Sequence, residues 1–320
     1  MKVDAIYEKG IVVEFVYSPL FEMLCALHVL SNSQHHIHRE KWVEKINTLI
    51  TKSMKEDINK FSLITDEYLI IMDFCNDFKE CSDLNIMGSL DYLEDLPLYK
   101  INGIFKNYNK RITNIYYREL LRFLRDFYIK IFQNELKYIE PIIIRELKRK
   151  SILAKDKGSF YLIDSIHSRI EVLEDEMVFY KFKELRVKLI NLKYININVS
   201  TFISPHLLLG QDKNSINLTV LLELDNNNNK DKCPKDLEKK LKALGDATRL
   251  RILSEINPIG KSTQELSSIL NISEAAVSKA LKLLLEAKLV NKIRRGNYII
   301  YSLNSIEIDY LPYNIYEYIN

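Results

Sequence analysis

Four histidines and one cysteine near the N-terminus form the densest group of potential metal ligands, namely Cys25, His28, His35, His36 and His38. Imidazole and thiolate groups suit zinc, and Cys25 precedes His28 by about one helical turn. However, adjacent histidines need not face one ion, and Cys25 with His28 also fits an apolar helix face. We therefore expect core and loop positions for these residues, with a metal site as the alternative that stays open.

No familiar catalytic arrangement occurs elsewhere. The sequence has no phosphate-binding loop, no nucleophile elbow and no HExxH pair. Cys75 and Cys81 are separated by five residues, which does not indicate a reactive pair, so we expect buried thiols. We expect no catalytic residue and no cofactor. Caps and solvated loops account for the carboxylates of Glu80, Asp83, Asp91, Glu94 and Asp95.

A tight helix-turn-helix is predicted in the C-terminal part of the chain. The segment Ser262-Thr263-Gln264-Glu265 is a capping box that opens one helix. The short turn Asn271-Ile272 follows, because asparagine tolerates left-handed backbone geometry, and Ser273 then caps a second helix. The predicted inward stripe of that second helix is Ala276, Val277, Ala280, Leu281 and Leu284.

The opposite face of the second helix suits entry into a DNA major groove. We therefore predict that this helix is the recognition helix, at about residues 273–287. After it, residues 289–293 and 298–303 flank Arg294-Arg295-Gly296-Asn297, which predicts a basic β-hairpin, or wing, at about residues 290–303. The two arginines could contact phosphates or reach the minor groove. The candidate DNA-binding residues are Ser273, Glu274, Ala275, Ser278, Lys279, Lys282, Arg294, Arg295, Asn297 and Tyr298.

Two short helices are predicted ahead of this motif. One contains Leu237, Leu241 and Leu244 at helical spacing. Gly245-Asp246 then ends it and caps the next helix, whose apolar residues are Leu250, Ile252 and Leu253. A basic helix pair alone is usually an ordinary solvated face. The ordered set of helices, tight turn and basic wing favours duplex DNA as the partner.

The charge distribution agrees with this division of the chain. The net charge is only +3, but residues 230–303 contain 15 Lys and Arg against 8 Asp and Glu, so the remainder is net acidic. A polar run of asparagine and charged residues indicates a linker at 225–234. We therefore predict a sensor or assembly domain at 1–224, a winged helix-turn-helix at 235–303 and a C-terminal tail at 304–320.

The N-terminal domain is predicted to be mostly helical with a small late sheet, so the fold class is α+β. Ser18-Pro19 opens a helix, and further helical patterns cover Trp42 to Ile50, Ile115 to Lys150 and Ile166 to Leu185. Pro141 should interrupt or kink the segment from Ile115 to Lys150. Strands are predicted at Val187 to Ile190, Ile195 to Val199 and Ile216 to Leu222.

The C-terminal blocks resemble the ArsR family of winged-helix repressors. The resemblance rests on the segments 243–253, 270–273, 285–290 and 295–303, with Val277-Ser278 and Leu281. It implies a winged helix that works as a homodimer on a palindromic operator. Metal-sensing members carry Cys-x-Cys where Gln264 to Ile269 stand here, or acidic and histidine ligands on the last helix, and this sequence has neither. Ala276 also replaces the usual hydroxyl, which puts one DNA contact in doubt.

The N-terminal region resembles an uncharacterised domain that is fused ahead of this winged helix in some bacterial regulators. The segments that carry this resemblance are 18–20, 27–30, His35-His36 with Trp42, and Ser204 to Leu208. No ligand comes with it.

The function predicted from the sequence is a sequence-specific DNA-binding regulator, with repression as the expected mode. A homodimer is expected, and an unknown small molecule could be its effector. The four scattered cysteines and the missing signal peptide and membrane span indicate the cytoplasm. The alternative is an enzyme or metal-binding protein whose winged helix is a protein-interaction module.

Overall fold

The computed structural model describes residues 1–224, 233–257, 259–296 and 298–319. The chain divides into two compact units, Met1–Asn229 and Lys230–Asn320, each with its own hydrophobic core. The α+β class predicted from the sequence is confirmed. Residues 225–232 of the predicted linker and Asn297 of the predicted wing lie outside the described residues. None of the described helices combines the length and apolar character that crossing a bilayer demands.

The strands of the N-terminal unit are β1 (Lys2–Glu8), β2 (Ile11–Val16), β3 (Ile170–Val172), β4 (Glu176–Tyr180), β5 (Glu184–Lys188), β6 (Tyr194–Ser200), β7 (Leu208–Gln211) and β8 (Ser215–Leu221). Its helices are α1 (Pro19–Ser31), α2 (Glu40–Leu49), α3 (Lys52–Thr65), α4 (Leu69–Met72), α5 (Phe74–Asp77), α6 (Lys79–Asp83), α7 (Ile86–Asp95), α8 (Leu98–Asn107), α9 (Asn114–Phe127), α10 (Gln133–Lys157) and α11 (Ser159–Ile166). A π-helical turn at Tyr128–Phe132 joins α9 to α10, and 3₁₀ turns occupy Ile37–Arg39 and Leu189–Asn191.

A five-stranded mixed sheet of order β1-β2-β6-β8-β7 organises this unit. The strand β6 pairs in parallel with both β2 and β8, while β1 and β7 are antiparallel edge strands. Along β2, Ile11, Val13 and Phe15 alternate as buried residues with partly exposed ones, so one face points into the core. The long helix α10 packs against β1, β2 and β6.

The helix α1 begins as the sequence predicts. Ser18 caps it by accepting a 3.1 Å hydrogen bond from the Phe21 amide, and Pro19 occupies the first turn. Eleven of its thirteen residues are buried, because α1 packs against α3, α4, α6 and α7. It is therefore a central helix and not a surface helix with one apolar stripe.

Two details of the sequence prediction are wrong. Residues 170–188 form the antiparallel sheet β3-β4-β5 and not the predicted helix through Leu185, because Met177, Val178 and Phe179 form a continuous buried run on the central strand β4. The predicted strand at 187–190 ends at Lys188 and turns into a 3₁₀ segment. The helix α10 continues through Pro141, so the predicted interruption does not occur and the predicted kink stays a prediction; Pro141 is exposed, and water can satisfy the carbonyl that loses its partner.

The C-terminal unit consists of α12 (Lys235–Leu244), α13 (Ala247–Ile256), β9 (Lys261–Ser262), α14 (Thr263–Leu270), α15 (Glu274–Glu286), β10 (Val290–Arg295), β11 (Tyr298–Leu303) and α16 (Ser305–Ile319). The three strands form a sheet of order β10-β11-β9 beside the helices. This order of helices and strands is the winged helix-turn-helix that the sequence predicts.

Candidate nucleic-acid interface

The helices α12 and α13 form the base of the C-terminal unit. Asp246 caps α13 by accepting a 2.9 Å hydrogen bond from the Arg249 amide, as predicted. The Arg249 guanidinium in turn donates to the carbonyls of Ala243 and Lys242 at the end of α12, at 2.6 and 2.8 Å. This arginine fixes the corner between the two helices, a structural role that the sequence analysis did not assign.

The predicted apolar faces of these two helices need correction. On α12 the buried residues are Leu237, Lys240 and Ala243, whereas Leu241 is 42% exposed. On α13, Ile252 and Leu253 are buried as predicted, but Leu250 is 49% exposed. Leucine at a helical spacing was therefore a poor guide to burial, and part of the apolar surface of this unit faces outward.

The turn between α14 and α15 is held by side chains that the sequence identifies. The capping box is confirmed, with the Ser262 amide donating to the Glu265 carboxylate at 2.7 Å and the Glu265 amide donating to the Ser262 hydroxyl at 3.3 Å. Asn271 adopts the predicted left-handed conformation with φ of 54°. The Ser267 hydroxyl donates to the Ile272 carbonyl at 2.6 Å. These hydrogen bonds fix the direction in which α15 begins.

The helix α15 buries one face and exposes the other. Its N-cap is Ser273, which accepts a 3.2 Å hydrogen bond from the Ala276 amide. The buried side chains are Val277, Ala280, Leu281 and Leu284. Ala276 is exposed, so its place in the predicted inward stripe is wrong. It lies at the leading end of the helix, on the side of the candidate DNA-binding residues.

The strands β10 and β11 form the predicted hairpin. They pair antiparallel from Val290 with Leu303 to Arg295 with Tyr298, so the connecting loop is two residues long. Gly296 has φ of 60° there, which suits glycine in such a loop. The strand β11 also pairs with β9. A Cβ at Gly260 would lie 2.9 Å from the Tyr301 carbonyl oxygen, so the close approach of this segment to the wing strand requires glycine.

Every described candidate DNA-binding residue is exposed. On α15 and its cap these are Ser273, Glu274, Ala275, Ser278, Lys279 and Lys282, and on the hairpin they are Arg294, Arg295 and Tyr298. Among the residues that the structure describes, Lys279, Lys282, Arg294 and Arg295 form no ion pair. The Arg294 guanidinium donates a hydrogen bond to the nearby Gly296 carbonyl at 3.2 Å. Their positive charge is therefore available to a polyanion.

Comparison with known proteins assigns the C-terminal unit to a family. Residues 246–292 match the bacterial regulatory proteins of the arsR family. The chain is also 37% identical, over 73 residues, to the arsenical resistance operon repressor of Bacillus subtilis (strain 168), which is 22% of this chain and 70% of that protein. The chain belongs to the ArsR family. This ArsR-family protein is accordingly a DNA-binding transcriptional regulator.

Two solved structures are similar to part of this ArsR-family protein. An ArsR-like transcriptional regulator from Rhodococcus sp. RHA1 is 30% identical with a TM-score of 0.23, covering 24% of this chain and 73% of that one. Reduced HlyU from Vibrio cholerae N16961 is 30% identical with a TM-score of 0.22, covering 25% and 88%. Residues 2–97 match a family of unknown function (DUF5937), as the resemblance of the N-terminal region implied.

Proposed function

We propose that this ArsR-family protein is a sequence-specific repressor that inserts α15 into the DNA major groove and rests the hairpin β10-β11 on the adjacent backbone or minor groove. The observation that carries this proposal is the exposed set of Lys279, Lys282, Arg294 and Arg295, which have no ion-pair partner among the described residues. Such cations release counterions when they meet phosphates, which is the main source of DNA affinity.

The leading end of α15 supports its role as the reader of sequence. Ala275 and Ser278 are short, exposed side chains on the first turns, so the backbone of the helix can approach base edges closely. Lys279 lies beside Ser278 and can donate to guanine, while Glu274 can accept from cytosine. Ala276 stands where the family pattern has a hydroxyl, so we propose no contact for it.

A homodimer is the proposed assembly, because a palindromic operator presents two equivalent half-sites. The helices α12 and α16 pack against each other and carry exposed apolar side chains, with Leu241 at 42%, Tyr310 at 46% and Ile306 at 67% exposure. A second copy would cover this apolar surface. Repression is proposed because the curated relative is a repressor. We propose the cytoplasm as the site of action.

The N-terminal domain, residues 1–224, is the proposed sensor. It contains a cavity of about 420 Å³ near the N-terminus, a size suited to a small molecule. Asn196, Asn198, Asn217 and Thr219 project from β6 and β8 toward it. The Asn196 amide donates to the Asn217 side-chain oxygen at 2.7 Å, while the Asn196 oxygen is buried without a hydrogen-bond partner in the described structure. The cavity suits a polar effector, because charged side chains of both signs line it beside these amides; they are Lys2, Glu14, Asp77, Lys79 and Asp83.

Genomic footprinting of the tagged full-length protein tests this proposal. We expect a palindromic site upstream of a transporter or enzyme gene, and increased expression of that gene when the protein is deleted. Decreased expression on deletion would contradict repression while leaving DNA binding intact. Enrichment no greater than in an untagged strain would instead favour the alternative, in which the winged helix binds protein in an enzyme or metal-binding protein.

A further inference from the structure

Three histidines from distant parts of the sequence meet inside the N-terminal unit. His28 lies on α1, His36 immediately precedes the 3₁₀ turn at Ile37–Arg39, and His206 lies between β6 and β7. One ring nitrogen of each lies within 4.8 Å of the other two. The ring centroids are 4.8 Å apart for His28 and His36, 5.5 Å for His28 and His206, and 5.1 Å for His36 and His206.

Hydrogen bonds to backbone carbonyls set the protonation of two of these rings. The Nδ1 of His28 lies 2.7 Å from the Glu67 carbonyl oxygen, and the Nδ1 of His36 lies 2.6 Å from the Ser204 carbonyl oxygen. Because a carbonyl can only accept, each Nδ1 must carry the hydrogen, and each Nε2 then presents a lone pair. A metal-ligating histidine is oriented in this way by its second nitrogen.

The Nε2 atoms of His28 and His36 are available to bind a ligand. Both are buried, and neither has a hydrogen-bond partner in the described part of the chain. His28 and His36 are 4% and 1% exposed. Burial, with the neighbouring His206 as a second cause, lowers the pKa of His28 to about 3, and burial lowers the pKa of His36 well below its ordinary value. The rings are therefore neutral, which is the form that binds metal ions.

We propose that His28, His36 and His206 bind one zinc-type divalent metal ion. Three nitrogen atoms within 4.8 Å of one another can share one ion that lies between them. Each nitrogen atom would move inward by roughly 0.7 Å to reach the usual zinc–nitrogen distance of about 2.0–2.1 Å. Three imidazoles leave one tetrahedral position for water or another ligand. His35 packs against His206 and His36, at centroid distances of 5.0 and 5.3 Å, and forms a wall of the site.

The consequence of this site is a cross-link within the N-terminal unit. The ion joins α1 to the loop after β6, segments that are more than 170 residues apart in the sequence. Ligand binding to the folded state alone raises stability. Binding of the ion should therefore stabilise the folded N-terminal unit, and this inference does not depend on DNA binding. It replaces the sequence expectation of separate core and loop histidines with one shared site that includes His206 and excludes His38.

Metal titration of the full-length protein tests the site. After removal of metal with a chelator, we expect one equivalent of Zn²⁺ to bind, the thermal midpoint to rise, and Co²⁺ to give tetrahedral visible bands. His206→Ala should weaken Zn²⁺ binding by more than about 100-fold. The matched control His38→Ala, which removes a partly exposed histidine outside the group, should bind as the unaltered chain does.

X-ray absorption at the zinc edge of the unaltered protein provides a measurement that needs no variant. We expect imidazole scattering from three histidines and no sulfur ligand. The proposal is overturned by the absence of stoichiometric Zn²⁺ binding, by sulfur in the coordination shell, or by equal effects of His206→Ala and His38→Ala in folded protein.

Discussion

The Lys240 ammonium lies 2.6 Å from the Glu307 carboxylate, with 6% of the lysine side chain exposed. This ion pair joins α12 to α16, the first and last helices of the C-terminal unit. Ile308, next to Glu307, packs against the core of the same unit. Residues 305–319, which lie in the segment predicted as a tail, thus form a helix packed against the winged-helix core.

Glu307→Gln should destabilise the C-terminal unit by roughly 1–3 kcal/mol, because it leaves the buried Lys240 charge without a counter-charge. This loss of stability is smaller than the loss expected for a fully buried ion pair, because the Glu307 side chain is 26% exposed. The matched control is Glu238→Gln, which breaks the exposed pair with Lys242 and should destabilise the unit far less. Hydrogen exchange of peptides from α12 measures both, and equal loss of protection in the two variants would refute the role of the pair.

Replacing both Arg294 and Arg295 with Ala should weaken binding to operator and random duplexes alike. The salt slope should fall by up to about 2 if both side chains contact phosphates, since each phosphate contact releases counterions. Specificity should survive. Lys242→Ala is the control, because that lysine is already paired with Glu238. Circular dichroism must show that the variants fold, and a lost preference for the operator would mean that the wing reads sequence.

Replacing Ser278 or Lys279 with Ala should cost operator binding about 1–3 kcal/mol if a base contact is lost, and random DNA less. Both side chains are exposed on α15, away from its buried residues. Glu286→Gln, an exposed change at the far end of the same helix, is the control. Competition binding measures the ratio of operator to random affinity. An unchanged ratio in the Ser278 and Lys279 variants would show that this face does not read bases.

Glu22→Gln should make the N-terminal unit more stable at high pH. Glu22 is buried, and its carboxylate accepts hydrogen bonds from the Thr201 amide at 2.9 Å and hydroxyl at 2.7 Å. Burial is the main cause that raises the pKa of Glu22 above 4.5. The folded state therefore binds this proton more tightly, and stability falls as pH rises through the interval above 4.5.

Urea unfolding followed by the fluorescence of Trp42, the single tryptophan, measures this effect. The advantage of Glu22→Gln should grow as pH rises above 4.5, with a slope of at most about 1.4 kcal/mol per pH unit. Glu44→Gln, an exposed control, should show no such trend. A constant difference between Glu22→Gln and the unaltered protein at all pH values would contradict the raised pKa of Glu22.

The sequence predicts the C-terminal unit well because its signals are local. The capping box at Ser262, the left-handed Asn271 and the cap at Ser273 each act within three or four residues. Burial at individual positions is less predictable, since it depends on neighbouring elements. Ala276 is small enough for either face of a helix, and Lys240 is buried because Glu307 supplies its counter-charge from another helix.

The N-terminal unit depends on contacts that sequence patterns do not reveal. The strands β1 and β2 escaped prediction, although β2 pairs in parallel with β6, about 180 residues later. His206 lies in the segment Ser204 to Leu208 that carries the resemblance of the N-terminal region, but nothing in its spacing indicates that it meets His28 and His36. Such pairs become visible when the fold brings their segments together.

Fluorescence anisotropy of the full-length protein with labelled duplex DNA, across a range of salt concentrations, tests the central claim most directly. The account predicts binding that weakens steeply as salt rises, with a linear dependence of log affinity on log salt. The slope should decrease when Lys279, Lys282, Arg294 and Arg295 are replaced together by Ala in folded protein. A complete lack of binding at low salt, or an unchanged slope in that variant, would contradict the proposed DNA-binding surface.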